Sequence, residues 1–161
     1  LRKLADYPNL VVTQTLSKAY GMAGIRLGIC YASEAVISIL NKIKPPYNVN
    51  ELTQQRALDR LHNTDKVKNE VCSIIENKNT LLKAFLQVDF IQRIYPTDAN
   101  FILVKVDDAH LRYAQLIDKG IVVRNRSNQP LCENTLRFSI GTPSENKKLI
   151  SILTELQSQP S

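Results

Sequence analysis

The sequence has 161 residues, 43% of them hydrophobic and 22% charged, and its formal net charge is +6. This length and composition predict a globular protein with one domain or two small ones, and they exclude collagen-like and disordered chains. The longest apolar runs are strand-sized and fall far short of the roughly 18 residues of a membrane-spanning helix. Because the chain begins with Leu1 and its only methionine is Met22, we expect a processed terminus or a piece of a longer protein.

The N-terminal half predicts two strands followed by three helices. The strands cover residues 9–16 and 25–31, with a glycine-containing turn between them. Ser33 is in position to cap the first helix, and the second starts near Asn50. The third helix carries apolar residues at helical spacing over residues 67–85 and is about 20 residues long. A helix of this length suits a connector between two domains.

The C-terminal half predicts a sheet covered by helices, with strands at residues 100–106, 121–124 and 136–140. Alternation in the last strand makes one face apolar and leaves Arg137 on the polar face. Asp107 or Asp108 caps the helix after the first strand, and a capping box over residues 142–145 opens the last helix. The tail over residues 157–161 is expected to fray.

The cysteines and histidines limit the environment and the chemistry. Cys30, Cys72 and Cys132 are odd in number and form no Cys-x-x-Cys pair, which predicts a reducing, cytoplasmic setting. His62 and His110 lack a second metal-ligating residue at helical spacing, so no metal site is predicted. The basic residues form no run interleaved with aromatic residues, which disfavours nucleic acid and is compatible with anionic small ligands.

The informative chemistry begins at the end of the first strand. Lys18 directly follows an apolar strand, where open α/β sheets place their ligands. A lysine amine can form a covalent adduct with an aldehyde, and Arg26, eight positions on, could hold a phosphate. On their own these residues favour a solvated strand end, because a lysine in this position is more often solvated than functional and a Gly-x-x-Gly turn is common.

Two segments, residues 17–21 (SKAYG) and 24–28 (GIRLG), resemble the pyridoxal-phosphate lysine motif of class II aminotransferases. Three later segments, residues 96–101, 120–124 and 136–142, follow in the order and spacing of the histidinol-phosphate aminotransferase family. The resemblance extends over essentially the whole chain. It implies an α/β fold, namely the C-terminal part of the aspartate-aminotransferase-like (fold type I) transferase fold.

The resemblance also implies the domain organisation. Residues 1–75 correspond to the tail of the large parallel-sheet domain, including the start of the connecting helix, and residues 76–161 to the small α+β domain. A substantial N-terminal portion precedes the lysine strand in that family and carries further cofactor-binding residues. We therefore expect this chain to be a fragment that is inactive alone, and we expect it to self-associate.

The family's functional residues transfer to six positions. Lys18 is implied as the catalytic residue that binds pyridoxal 5'-phosphate covalently, with Ser17 and Arg26 holding the cofactor phosphate. Arg137 is implied to pair with the substrate carboxylate, and Arg124 to reach the phosphate end of the substrate. Asn100 is a further candidate for substrate contact, although an asparagine there equally satisfies local backbone groups. Arg126 has no implied role, and a solvated turn is expected for it.

The implied activity is amino-group transfer between L-glutamate and imidazole-acetol phosphate (histidinol phosphate) in histidine biosynthesis, by a cytoplasmic homodimer. A threonine-phosphate-type decarboxylase of the same fold remains an alternative, because it shares the lysine motif and the arginine pair. A non-enzymatic basic module that binds anions is a second alternative. No metal, membrane or nucleic-acid partner is expected.

Overall fold

The computed structural model describes residues 1–157 and divides into two units, the first Leu1–Asn69 and the second beginning at Glu70. The division falls inside the helix that the sequence predicts as a connector, α3 (Thr64–Phe85). The predicted boundary at residue 75 lies in the same helix. Of the predicted frayed tail, Gln157 is the last residue of a helix, and residues 158–161 lie outside the described residues.

The first unit contains two strands, β1 (Val12–Thr15) and β2 (Gly28–Tyr31), and two helices before α3, α1 (Glu34–Ile43) and α2 (Glu51–His62). Both strands were predicted, and each begins three residues later than expected. For the second strand the reason is that Ala23–Ile25 forms a 3-10 turn. The two strands pair with each other in antiparallel orientation, with Thr15 opposite Gly28.

The helices of the first unit begin where the sequence predicts. Ser33 is the N-cap residue of α1, but its side chain makes no capping hydrogen bond. At α2, Asn50 Oδ1 accepts a hydrogen bond from the amide of Thr53 at 2.9 Å. This bond satisfies one of the backbone donors that a helix leaves free in its first turn.

The second unit is a four-stranded antiparallel sheet in the order β3-β4-β6-β5, with helices on one face. Its elements after α3 are β3 (Ile91–Ile94), β4 (Phe101–Val106), α4 (Ala109–Asp118), β5 (Arg124–Asn125), β6 (Thr135–Ser139) and α5 (Pro143–Gln157). Strand β3 was not predicted, and β5 begins three residues later than expected.

One face of this sheet forms the core. Ile102, Val104 and Phe138 are at most 1% exposed and pack against apolar residues of α3, α4 and α5. Phe85 meets Phe138 edge-to-face, with ring centres 5.1 Å apart. Successive strand residues point to opposite faces, so Arg137 lies on the face away from this core, as the alternation predicted.

Local hydrogen bonds fix the helix starts of the second unit. Asp108 Oδ1 accepts from the amides of His110 and Leu111, which caps α4. At α5 the predicted capping box forms: the amide of Thr142 donates to Glu145 Oε2 at 2.7 Å, and the amide of Glu145 donates to Thr142 Oγ1 at 3.4 Å. The amide and hydroxyl of Thr142 hold the pKa of the Glu145 carboxyl below its usual value.

Arg112 and Asp107 form a bidentate ion pair in the same unit, with their closest atoms 2.7 Å apart. The Arg112 guanidinium also lies over the ring of Phe90, 4.3 Å from its centre. Hydrogen bonds from Arg112 lower the pKa of the Asp107 carboxyl. Within residues 1–157, no helix is both long and apolar enough to cross a bilayer.

Candidate functional site

Lys18 lies in a tight turn that follows β1. The amide of Gly21 donates to the carbonyl oxygen of Lys18 at 2.8 Å. Gly21 has φ +66°, a left-handed conformation that glycine adopts without a steric penalty. The amide of Met22 donates to the carbonyl oxygen of Leu16 at 3.0 Å, so the chain turns back over the end of the strand. Lys18 is exposed at this turn.

Ser17 and Arg26 lie at the two sides of the same loop, residues 16–27, which we call the lysine loop. The amide of Leu16 donates to the carbonyl oxygen of Leu27 at 3.4 Å, which extends the pairing of β1 with β2 by one residue. Ser17 directly follows this backbone pair and Arg26 directly precedes it. The structure therefore places Ser17, Lys18 and Arg26 in one closed loop.

The hydroxyl group of Thr15 lies next to that of Ser17 and bonds to it. Thr15 Oγ1 donates to Ser17 Oγ at 2.8 Å, and the amide of Ser17 donates to Thr15 Oγ1 at 3.0 Å. The sequence prediction did not include Thr15. Its spacing of two residues from Ser17 is the local signal that could have revealed it, because Thr and Ser side chains commonly bond to nearby backbone groups in turns.

Arg26 is held in a strained conformation. Its φ of 55° and ψ of 42° are left-handed, a region that non-glycine residues seldom occupy and that costs roughly 1–3 kcal/mol. Its Nη1 donates to the carbonyl oxygen of Ala23 at 3.0 Å, which fixes the guanidinium against the loop. Strain of this kind is concentrated at ligand-binding positions, and Arg26 is the residue for which a phosphate partner was predicted.

Two side chains of helix α2 donate hydrogen bonds to carbonyl oxygens of the lysine loop. Arg60 Nε donates to the carbonyl oxygen of Tyr20 at 2.9 Å, and Thr53 Oγ1 donates to the carbonyl oxygen of Ile25 at 3.4 Å. One bond therefore reaches the loop beside Lys18 and the other beside Arg26. The sequence prediction missed both contacts because they join residues 40 and 28 positions apart. An apolar cluster packs the loop onto the helix, with its buried members at Leu16, Met22 and Ala57.

In the second unit, Arg124 and Arg137 lie directly opposite each other on β5 and β6. Adjacent strands are about 4.8 Å apart, and like charges in directly opposed positions destabilise a sheet. The Nε atom of Arg137 is buried and has no hydrogen-bond partner among the described residues. The two guanidinium groups therefore lie on the same face of the sheet, and one of them has a buried N–H donor without a partner among residues 1–157.

Asn100 lies just before β4 in the same unit, and its carbonyl oxygen accepts a hydrogen bond from Ile140 at 2.9 Å. The next residue, Phe101, has its ring centre 5.0 Å from the guanidinium carbon of Arg137. The turn expected at Arg126 begins at this residue, because its carbonyl oxygen accepts a hydrogen bond from the amide of Gln129 at 2.9 Å. The amide of Arg126, which is half-buried, donates to the carbonyl oxygen of Thr135 at 2.9 Å, which continues the pairing of β5 with β6.

Residues 1–157 also contain a cleft in the second unit, away from the predicted site residues. The cleft has a volume of about 550 Å³ and opens beside the first turn of α5, where Val123 and Phe138 supply apolar walls and Glu145 and Lys148 supply charge. None of the predicted site residues lines this cleft. Among the same residues 1–157, no group of three metal-ligating side chains comes together.

Solved structures identify the class of fold. Histidinol-phosphate aminotransferase from Clostridium acetobutylicum superposes with a TM-score of 0.89 at 22% identity, over 97% of this chain and 48% of that one. L-threonine-O-3-phosphate decarboxylase from Porphyromonas gingivalis gives 0.83 at 22%, over 98% and 50%. Histidinol-phosphate aminotransferase from Sinorhizobium meliloti in complex with pyridoxal-5'-phosphate gives 0.79 at 24%, over 94% and 42%. The chain has the fold of this class of aminotransferases and decarboxylases.

Sequence comparison then identifies the family. The chain belongs to the aminotransferase class I and II family, whose sequence profile matches residues 1–153. It is 69% identical over 153 residues to histidinol-phosphate aminotransferase of Flavobacterium johnsoniae, which is 95% of this chain and 44% of that protein. It is 59% identical over 156 residues to the protein of that name from Flavobacterium psychrophilum, which is 97% and 45%. The chain thus spans less than half the length of the curated relatives it matches.

Proposed function

We propose that the protein to which this chain belongs is a histidinol-phosphate aminotransferase, which transfers an amino group between L-glutamate and imidazole-acetol phosphate in histidine biosynthesis. The observation that carries this proposal is the 69% identity, along 95% of the chain, with a protein of that name. The positive charge of the candidate site supports it, because both substrates are anions.

The donor set of the lysine loop fits pyridoxal 5'-phosphate, the cofactor in the Sinorhizobium meliloti structure. Lys18 offers a primary amine to an aldehyde, while Ser17 and Arg26 offer a hydroxyl and a guanidinium group to a phosphate. Thr15 Oγ1 donates to Ser17 Oγ, which leaves the Ser17 hydroxyl hydrogen for the phosphate. When bound, this cofactor supplies an electron sink for the negative charge that develops at the amino-bearing carbon.

The residues of the lysine loop then have separate tasks. Lys18 would hold the cofactor through Nζ until the amino group of the substrate takes its place. As a free amine, Nζ would then accept the proton of the amino-bearing carbon and return it. Ser17 donates a hydrogen bond to the phosphate through Oγ. Arg26 binds the same phosphate by charge-assisted hydrogen bonds. The bond from its Nη1 to the carbonyl oxygen of Ala23 holds the guanidinium against the loop.

Arg124 and Arg137 bind the anionic groups of the substrates. The guanidinium of Arg137 offers a planar pair of donors that matches a carboxylate, which glutamate presents in one half-reaction. Arg124, directly opposite, reaches the phosphate of the other substrate. Asn100 contributes an amide beside Phe101, where it contacts the substrate.

Covalent trapping tests the cofactor assignment in the full-length protein. Borohydride reduction in the presence of pyridoxal phosphate, followed by peptide mapping, is expected to place the cofactor on Lys18. Lys18→Ala removes the adduct, whereas Lys3→Ala, an exposed lysine on the same unit, leaves it. Absence of an adduct at Lys18 in the wild-type protein would favour the non-enzymatic anion-binding module.

Substrate assays test the reaction itself. We expect 2-oxoglutarate-dependent consumption of histidinol phosphate, with no release of CO2 from threonine phosphate. The opposite result would identify the decarboxylase, whose Porphyromonas gingivalis example shares this fold.

We further propose that residues 1–75 belong to the cofactor domain and residues 76–161 to a small substrate-binding domain of a cytoplasmic homodimer. The three free cysteines are compatible with a reducing compartment.

Because the chain spans 44% of its Flavobacterium johnsoniae relative, we expect the 161-residue chain alone to show little turnover. Robust turnover by that chain would contradict this expectation.

A further inference from the structure

The sheet of the second unit carries five positively charged residues on the face that lies away from its core. Arg93 lies directly opposite Lys105 on β3 and β4, and Arg126 continues the strand that places Arg124 opposite Arg137. We call these five residues the cationic face. The uncharged strand positions on the same face are Phe101, Leu103, Thr135 and Ser139. Tyr95, just after β3, lies beside Leu103, because its amide donates to the carbonyl oxygen of Leu103.

The register arranges the cationic face in two rows. Arg137 and Arg124 share a row with Leu103, and Arg126 and Arg93 share the next row with Lys105. Residues two apart on a strand are about 6.6 Å apart, so the second row begins within one side-chain length of the first. Among residues 1–157, none of the five cations forms an ion pair.

Two of the arginines already have their guanidinium groups oriented. The guanidinium carbon of Arg93 lies 4.9 Å from the ring centre of Tyr95, and that of Arg137 lies 5.0 Å from the ring centre of Phe101. Stacking on a ring uses the plane of a guanidinium and leaves its N–H edge available to an anion. Two directly opposed like-charge pairs in one sheet are destabilising, and an anion held between them relieves the repulsion.

We propose that Arg93, Lys105 and Arg126 form a second anion-binding row, which recruits the phosphate-bearing substrate toward Arg124 and Arg137. This inference rests on the proposed function for the identity of the substrate, but the anion site itself does not. Closely spaced, unpaired cations raise the local concentration of a small anion and accelerate its capture. None of the three residues has a role implied by the sequence.

Protection of Lys105 from acetylation tests the site without enzymatic activity. In the full-length protein, inorganic phosphate is expected to slow acetylation of Lys105 more than sodium chloride of the same ionic strength does. Lys147, an exposed lysine on α5 at the opposite face of the sheet, serves as the internal control and is expected to react equally in both salts. Equal protection of Lys105 by the two salts overturns the proposal.

Kinetics test the recruitment. In the double variant Arg126→Gln and Lys105→Gln, we expect kcat/KM for the phosphorylated substrate to fall about threefold to tenfold at low salt. The fall should come from a higher KM at an unchanged kcat. The difference in kcat/KM between the double variant and the wild-type protein should vanish near 0.5 M salt, because the Debye length there is about 4 Å. Arg126→Lys with Lys105→Arg retains both charges and is expected to retain the rate, and Lys147→Gln is the matched control. An unchanged kcat/KM at low salt overturns the recruitment, whereas failure of Lys18 trapping affects only the proposed function.

Discussion

Arg60→Ala tests whether α2 holds the lysine loop in place. Arg60 Nε donates to the carbonyl oxygen of Tyr20, and Tyr20 lies within the turn that the amide of Gly21 closes on Lys18. Removing the guanidinium leaves this part-buried carbonyl without its charged donor. The turn should then open more often, and Lys18 should lose its fixed position.

The magnitude follows from the type of hydrogen bond. A bond to a charged donor contributes about 2 kcal/mol net, and that free energy corresponds to roughly a 30-fold change in an equilibrium constant. Amides that exchange by local opening report this change directly. We therefore expect hydrogen exchange at Gly21 and Met22 to accelerate by roughly 30-fold in Arg60→Ala. Peptide-level hydrogen–deuterium exchange of the full-length protein measures it.

Two variants control for other effects. Arg56 is exposed on the same helix one turn earlier, so Arg56→Ala removes the same charge and should leave exchange in the lysine loop unchanged. Arg60→Lys retains a charged donor and should restore part of the protection. Wild-type exchange at Gly21 and Met22 in Arg60→Ala would refute the reasoning, because the bond would then contribute nothing to the turn.

Three further outcomes are expected. Phe138→Ala, at a side chain that is 1% exposed and packed on Phe85, should destabilise the second unit by about 3–5 kcal/mol, measured by denaturant unfolding. The lowered pKa of Asp107 means that the unfolded chain binds more protons in acid, so the pair with Arg112 stabilises the fold above about pH 4 and loses this effect as the pH falls through the lowered pKa. The contribution should be modest, since Asp107 is 40% exposed. The isolated chain should self-associate in sedimentation, because Ile39 and Ile43 on α1 are 60% and 72% exposed.

Each of these outcomes has a control. Ile140 is only partly buried beside the same core, and its change to Val should cost far less than the loss of Phe138. Asp107→Asn should flatten the acid limb of the stability curve, and an unchanged limb would contradict the assignment to Asp107. Ile39→Ser with Ile43→Ser should reduce self-association, whereas a monomeric wild-type chain would count against the exposed face as its cause.

Local signals were sufficient for much of the fold. The caps at Asn50 and Asp108 and the Thr142–Glu145 box depend on residues at most three positions apart, so the sequence predicts them directly. The alternation along β6 likewise predicts which side of the sheet receives Arg137. The strand β3 was missed because its four residues, Ile-Gln-Arg-Ile, give no clean alternation.

The sequence by itself determined the lysine motif, the family resemblance and the helix boundaries, since each is encoded in contiguous residues. Only the tertiary structure decided which distant groups meet. The register of β5 on β6 opposes Arg124 to Arg137 across thirteen positions of chain, and the packing of α2 brings Arg60 to the carbonyl oxygen of Tyr20. Such contacts depend on the packing of whole elements, because strand register and helix docking are fixed by burial of apolar faces rather than by local spacing.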